Sequence, residues 1–359
     1  MQESGCQNIH RKIRNMLENI IEINQYAPIG IPTLNRYEHL KKVIEGLRTC
    51  PESVQSDLYI SVDYPPSKKY EIGYKKVCEY LKFGIEGFRS VTIVYQKENL
   101  GALDNWEFVE KALQDKGYDF YILLEDDIVP MPAFLSYMNK SFVLFHNDDK
   151  VMGIGAYETM IKNIGDYNAV YTHFGSCLGF FTRQRKATLN KCLNYDYLTS
   201  ILHDKKMCKK IIAYRKDAYW RFVTIALGLN EKLTLRDGSV APIDYFNDTV
   251  LVIEDMLSVF PTKGLVKNIG LDGTGEHATI VDETPGDYYS EKQIDINVLN
   301  KEDSYKAEQL VTSCREYDKN MYIRCRVLTT IFLLLGRRTS KKINDFIESI
   351  HLWKVKKGR

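Results

Sequence analysis

A buried strand that ends in three consecutive carboxylates constrains this chain more than any other feature. Phe120-Tyr-Ile-Leu-Leu124 is an uninterrupted apolar run, too short for an exposed helix, and it predicts a central strand covered on both faces. Glu125, Asp126 and Asp127 then fall together at its C-terminal edge. In open α/β sheets that edge is where ligands bind. Clustered carboxylate oxygens suit a hard cation such as Mg²⁺ or Mn²⁺, which also touches phosphate. The competing reading is that Asp126 or Asp127 caps a helix that Pro130 helps to start, although a cap needs one carboxylate and not three.

The 359 residues leave room for a substantial core, and a formal charge of +2 gives no reason to expect nucleic acid as a partner. The eight cysteines are scattered, without a Cys-x-x-Cys pair or zinc-like spacing, which fits a reducing compartment. The first residues lack the pattern of a secretory signal, and no apolar run reaches the roughly 18 residues that a membrane span requires. The expectation is a cytoplasmic protein, with peripheral attachment at the inner face of a membrane as an open alternative.

Three regions are expected. In residues 1–27, Ile9, Ile13, Met16, Leu17, Ile20 and Ile21 recur at helical spacing and predict an amphipathic packing helix. Residues 28–285 alternate short strands with helices: strands at Ile29–Pro32, Leu58–Val62 and Val91–Tyr95, and helices ending at Thr49, Lys82 and Lys116. Repeated βα units of this size predict an α/β fold with a mostly parallel central sheet flanked by helices. Residues 286–359 predict a helical, basic C-terminal extension.

Strand ends of such a sheet converge on one rim, which brings Arg36, Asp63, Asn99 and Gly101 towards Glu125, Asp126 and Asp127. An Arg there can stack on or donate to a nucleotide, and an Asp can accept from a donor on its base. Each also has a plainer reading: Arg36 as a surface charge, Asp63 as a turn residue before Pro65-Pro66, and Asn99 with Gly101 as a tight turn.

Taken in order and spacing, Pro32-Thr-Leu-Asn-Arg36, Ser61-Val-Asp63, Glu98-Asn-Leu-Gly101 and Leu124-Glu-Asp-Asp127 resemble the nucleotide-sugar half of GT-A-fold glycosyltransferases. The resemblance is to bacterial family-2 enzymes and to the N-acetylglucosaminyltransferase I type, and covers roughly residues 28 to 280. It implies the GT-A fold and a nucleotide-sugar donor, with UDP the expected nucleotide. Donor contacts are then expected at Pro32, Thr33, Arg36, Asp63, Asn99, Gly101, Asn105, Glu125, Asp126 and Asp127. Mn²⁺ or Mg²⁺ would be held by Asp127, with His277 on either metal or phosphate.

In the second half, a helix is expected over Pro132–Phe145 and strands over Val151–Ala156 and Gly175–Thr182, the last punctuated by glycines where backbone can approach a ligand. The resemblance makes that region a lining of the donor sugar. Lys186 to Tyr219 reads as helices without assignable chemistry. Asp248, before a helical run to Phe260, corresponds to the catalytic base of the similar inverting enzymes; it could instead be an N-cap, and Asp244 and Asp255 are its rivals. Asn268-Ile-Gly270 and Gly273-x-Gly275 predict a flexible loop that brings His277 to the metal or pyrophosphate. Val327–Leu335 is apolar and followed by Arg337, Arg338, Lys341 and Lys342, which suits either a helix resting on an anionic membrane or one packed on the domain.

The function expected is a metal-dependent inverting glycosyltransferase moving a sugar to a glycan or lipid-linked hydroxyl acceptor, as in cell-surface polysaccharide synthesis. A nucleotidyltransferase is one alternative, disfavoured because no glycine-rich loop follows the first strand. A non-catalytic sugar-binding protein on the same fold is the other.

Overall fold

A computed structural model of the chain describes residues 25–229, 244–273, 286–313 and 317–357. The helix expected over the first two dozen residues lies outside them. The chain divides into two compact units: Met1–Val170 with Cys177–Gln184 and Val259–Leu299, and Tyr171–Ser176 with Arg185–Ser258 and Asn300–Arg359.

The sequence alternation from Ile29 onward becomes β1 (Ile29–Thr33), α1 (Tyr37–Thr49), β2 (Asp57–Val62), α2 (Lys68–Lys82), β3 (Ser90–Tyr95), α3 (Ala102–Asp115) and β4 (Phe120–Leu123). The apolar run of β4 is buried at every position, as expected for a strand covered on both faces. Next come β5 (Ile128–Pro130), α4 (Phe134–Phe145), β6 (Val151–Gly155), β7 (Ala169–Thr172) and β8 (Cys177–Phe181). Among the described residues the large sheet has eight strands, in the order β3-β2-β1-β4-β8-β6-β9-β7, where β9 is Leu257–Pro261. β1 lies parallel to both β2 and β4, and β2 parallel to β3, whereas β8 is antiparallel to β4 and to β6. The fold is therefore mixed α/β, a large central sheet with flanking helices and a helical C-terminal region.

This order places a topological switch between β1 and β4. The chain leaves β1 to build β2 and β3 on one side, then returns to pair β4 on the other. A crevice at the C-terminal ends of two such strands is the usual ligand position of an open α/β sheet.

Several expectations need correction. The helical run expected from Asp248 to Phe260 stops at Glu254; Asp255 turns the chain at φ +54°, and Leu257–Pro261 becomes a strand. The loop expected at Asn268 begins as β10 (Val266–Asn268), antiparallel to β5. The glycine of β8 serves packing: a side chain at Gly179 would meet the ring of Phe142 in α4 at 2.7 Å, so close approach here is to a helix.

In the second unit, the Lys-rich stretch forms helices at Tyr195–His203, Lys205–Tyr214 and Lys216–Ala226, and the chain returns in helix Asp244–Glu254. Leu198, Leu202, Ile211, Phe222, Val250, Leu328 and Phe332 share its core. The single C-terminal helix expected from Val327 is two, Lys319–Leu335 and Arg337–Lys357, because Gly336 adopts φ +80° and ends the first. No helix among the described residues is long and apolar enough to cross a membrane.

Candidate functional site

Beyond β1 the chain bends at Leu34 and Asn35 to reach Arg36, and beyond β4 it presents the acidic motif. Asp126 and Asp127 are buried, 5% and 7% exposed, whereas Glu125 is exposed. Thr33 Oγ1 donates to Asp126 Oδ2 at 2.7 Å. The Arg36 guanidinium spans both carboxylates, donating through Nη1 to Asp127 Oδ2 at 2.7 Å and through Nη2 to Asp126 Oδ1. Asp127 Oδ1 is buried, with no hydrogen-bond partner among the described residues. Neither Asp caps the following helix, whose N-cap is Ala133.

Burial pushes the Asp126 carboxyl above the ordinary range, with Arg36 and Thr33 drawing it down and the Asp127 charge adding to the rise. Burial also opposes the charge of Arg36, but the two carboxylates outweigh it and raise the guanidinium further.

The loop after β10 walls this pair. Ile269 N–H donates to the Asp127 carbonyl at 2.9 Å, and Gly270 N–H donates to Asn268 Oδ1 at 2.8 Å. A Cβ on Gly270 would fall 2.0 Å from Asp127 Oδ2, so only glycine lets this backbone lie against the carboxylate. The sequence marks Gly270 merely as part of a loop; its role as a wall follows from the β5–β10 pairing.

Asp63, after β2, organises the neighbouring turn. Its Oδ1 accepts from the N–H groups of Tyr64 and Leu100, and its Oδ2 from Asn99 Nδ2 and the N–H of Gly101. Gly101, at φ +88°, is the N-cap of α3. Asn105, one turn into that helix, is buried; it accepts from Ser61 Oγ and donates to the Ser61 and Thr33 carbonyls, tying α3 to the ends of β1 and β2. Both plainer readings of Asp63 and Asn99 therefore describe contacts that exist, and the structure adds a positioning role for Asn105. Pro32 is the penultimate residue of β1 and is half-buried.

The donor set of the acidic pair fits a hard divalent cation: two carboxylates, one of them with a buried oxygen that no group among the described residues satisfies. Among the described residues no group of three His, Cys, Asp or Glu side chains converges, so phosphate and water would have to supply the other ligands. His277 lies outside the described residues.

Asp248 belongs to the second unit and is not an N-cap. It is the fifth residue of helix Asp244–Glu254 and is 8% exposed. Its Oδ1 accepts from Gly175 N–H at 2.5 Å and its Oδ2 from Arg215 Nη1 at 2.8 Å. Arg215 also grips Asp217, through Nε at 2.9 Å and Nη2 at 2.7 Å. Burial opposes the Arg215 charge, but these carboxylates more than offset it and hold the guanidinium above its usual pKa. Arg215 and Asp217 sit in the Lys-rich stretch to which sequence reasoning assigned no chemistry. Of the rivals, Asp255 is exposed and lies 4.0 Å from Lys210, and the side chain of Asp244 is outside the described set.

Fold and site together define an α/β sheet protein with a buried pair of carboxylates at its switch point, lying against a glycine loop. No protein-family model and no curated protein matches the chain. Among solved structures it is similar to TarS of S. aureus, at 13% identity and a TM-score of 0.30, over 47% of this chain and 30% of that one. It is likewise similar to the mannosyltransferase PcManGT from Pyrobaculum calidifontis, solved with GDP-Man and Mn²⁺, at 11% identity and a TM-score of 0.31, over 46% of this chain and 47% of that one. The chain thus spans less than half the length of each, and its functional reading rests on its own residues.

Proposed function

We propose that the chain is a glycosyltransferase that takes its sugar from a nucleotide-sugar, with UDP as the nucleotide. The observation that carries this reading is the unsatisfied Asp127 Oδ1, buried at the switch between β1 and β4. A buried carboxylate oxygen without a partner is costly. A cation that also binds a diphosphate offsets that cost, and the ordered resemblance of the four rim motifs to GT-A enzymes supports the same ligand.

In this reading Asp127, assisted by Asp126, holds Mn²⁺ or Mg²⁺. When bound, the cation supplies neutralisation of charge on the leaving diphosphate. In the same reading the turn at Asn99–Gly101, held by Asp63, lies beside the nucleotide, and Glu125 binds ribose or sugar hydroxyls, a role its exposure supports. Asp248 takes the proton of the acceptor hydroxyl as the acceptor oxygen bonds to the sugar C1. The bond from C1 to the diphosphate oxygen breaks on the opposite face, and the anomeric centre inverts.

The acceptor is a glycan or a lipid-linked glycan. A membrane surface is supported by helix Lys319–Leu335, which buries Cys325, Leu328 and Phe332 but exposes Ile323, Val327, Leu333, Leu334 and Leu335. Arg338 and Lys342 are exposed just beyond. Arg337 is used internally, donating to the Leu227 carbonyl and lying over the Tyr195 ring. The double substitution Leu334→Glu and Leu335→Glu is expected to release the protein from anionic vesicles in a flotation assay; retention would remove the membrane from this reading.

Calorimetric titration of UDP in Mn²⁺ and in EDTA tests the donor site. Binding that needs Mn²⁺ is expected, and no binding of UDP under either condition would overturn the assignment.

A further inference from the structure

The acidic pair already has a cation, and it belongs to the protein. Of its four carboxylate oxygens, two accept from Arg36, one accepts from Thr33 Oγ1 at 2.7 Å, and Asp127 Oδ1 alone has no partner among the described residues. An incoming divalent ion would find one free oxygen and a guanidinium beside it. Yet nothing about the position of Arg36 favours a cation otherwise. It directly precedes the first turn of α1, at φ −95° and ψ 66°, where the helix dipole is unfavourable to positive charge. The side chain is still 22% exposed, so it has a path outward.

We infer that Arg36 is a gate on this site: it neutralises Asp126 and Asp127 while the crevice is empty, and is exchanged for the divalent cation when a nucleotide diphosphate arrives. The inference rests on the proposed reading of the pair as a cation and nucleotide-diphosphate site. The exchange is driven by matching charges. A guanidinium binds two phosphate oxygens through a planar fork as readily as it binds two carboxylates. Once the diphosphate offers that alternative, both carboxylates become available to the metal. Each ligand then strengthens the other, with the reciprocity that linkage demands. Cation alone binds poorly because it must compete with Arg36, and the protein is kept from holding a metal without its donor.

The test is a titration of Mn²⁺, followed by the electron paramagnetic resonance of the free ion, into wild type, Arg36→Gln and Arg36→Lys, each with and without UDP. Thermal melts establish that each variant is folded. In wild type, UDP is expected to tighten Mn²⁺ binding by roughly tenfold or more. In Arg36→Gln, Mn²⁺ alone should bind roughly tenfold more tightly than to wild type, and the gain from UDP should shrink to the part that the phosphate ligands alone supply. Arg36→Lys, charged but without the fork, should fall between. If both variants bind Mn²⁺ as wild type does and keep the full effect of UDP, the gate is overturned and the donor site stands. If no protein in the series binds Mn²⁺ or UDP, the donor-site reading itself fails, and the gate with it.

Discussion

Arg215 donates to Asp248 Oδ2 at 2.8 Å while gripping Asp217 with its other nitrogens, so the proposed base is held by a guanidinium that is itself anchored twice. Asp248→Asn keeps the size of the side chain and an oxygen for the Gly175 N–H, but cannot take a proton. Turnover is expected to fall by about 10² to 10⁴, with Mn²⁺-dependent UDP affinity unchanged. Because the variant also leaves a buried Arg215 with one carboxylate partner in place of two, stability should fall by roughly 1–3 kcal/mol. Steady-state kinetics beside a denaturant titration reads both. Normal turnover in Asp248→Asn would remove this residue as the base.

Gly270→Ala introduces a methyl 2.0 Å from Asp127 Oδ2. Either the loop after β10 or the carboxylate must move, which as overpacking costs about 1–3 kcal/mol. The expected result is a folded protein with a lower melting temperature and at least ~tenfold weaker Mn²⁺-dependent UDP binding, a change worth ~1.4 kcal/mol. Wild-type affinity in this variant would mean that Asp127 does not carry the cation.

Asp57 accepts from Arg89 through two nitrogens, at 2.9 and 2.5 Å, and from Ser90 Oγ at 2.6 Å. The Arg89 hydrogen bonds hold its carboxyl below the ordinary carboxylate range, against the opposing effect of burial. A depressed folded-state pKa contributes stability that is present above the unfolded value of about 3.9 and is lost as pH falls through the folded value. Arg89→Gln should therefore be less stable than wild type at pH 7, and the gap should shrink as the pH is lowered from about 5 towards 2. Melts across that range check the sign; a gap that is constant or widens on acidification would contradict it.

The first four strands were legible because each is a short apolar run bounded by turn residues, and a buried β4 ending in carboxylates leaves few places to put them. Leu257–Pro261 was not, since Leu-Ser-Val-Phe continues the apolar content of the preceding helix and a run this short does not declare its period. The break depends on Asp255 accepting φ +54°, which Asp tolerates but does not announce. Arg36 was visible as a rim residue, but sequence pointed it at a nucleotide, whereas the structure turns it onto Asp126 and Asp127. Arg215 was hidden for a different reason: it meets Asp248 across 33 residues, from a stretch whose lysines and tyrosines look like an ordinary solvated surface.

The measurement that bears most directly on the proposed activity is nucleotide release from a panel of nucleotide-sugars in the presence of Mn²⁺, run with wild type and Asp127→Ala. Removing Asp127 leaves Arg36 paired with Asp126, so the variant should stay folded. At least one UDP-sugar is expected to yield free UDP with wild type, and EDTA or Asp127→Ala is expected to abolish the release. UDP-sugar binding without release from any donor, with or without candidate glycan acceptors, would instead make the chain a binding protein; equal release by Asp127→Ala would contradict the acidic pair as its working site.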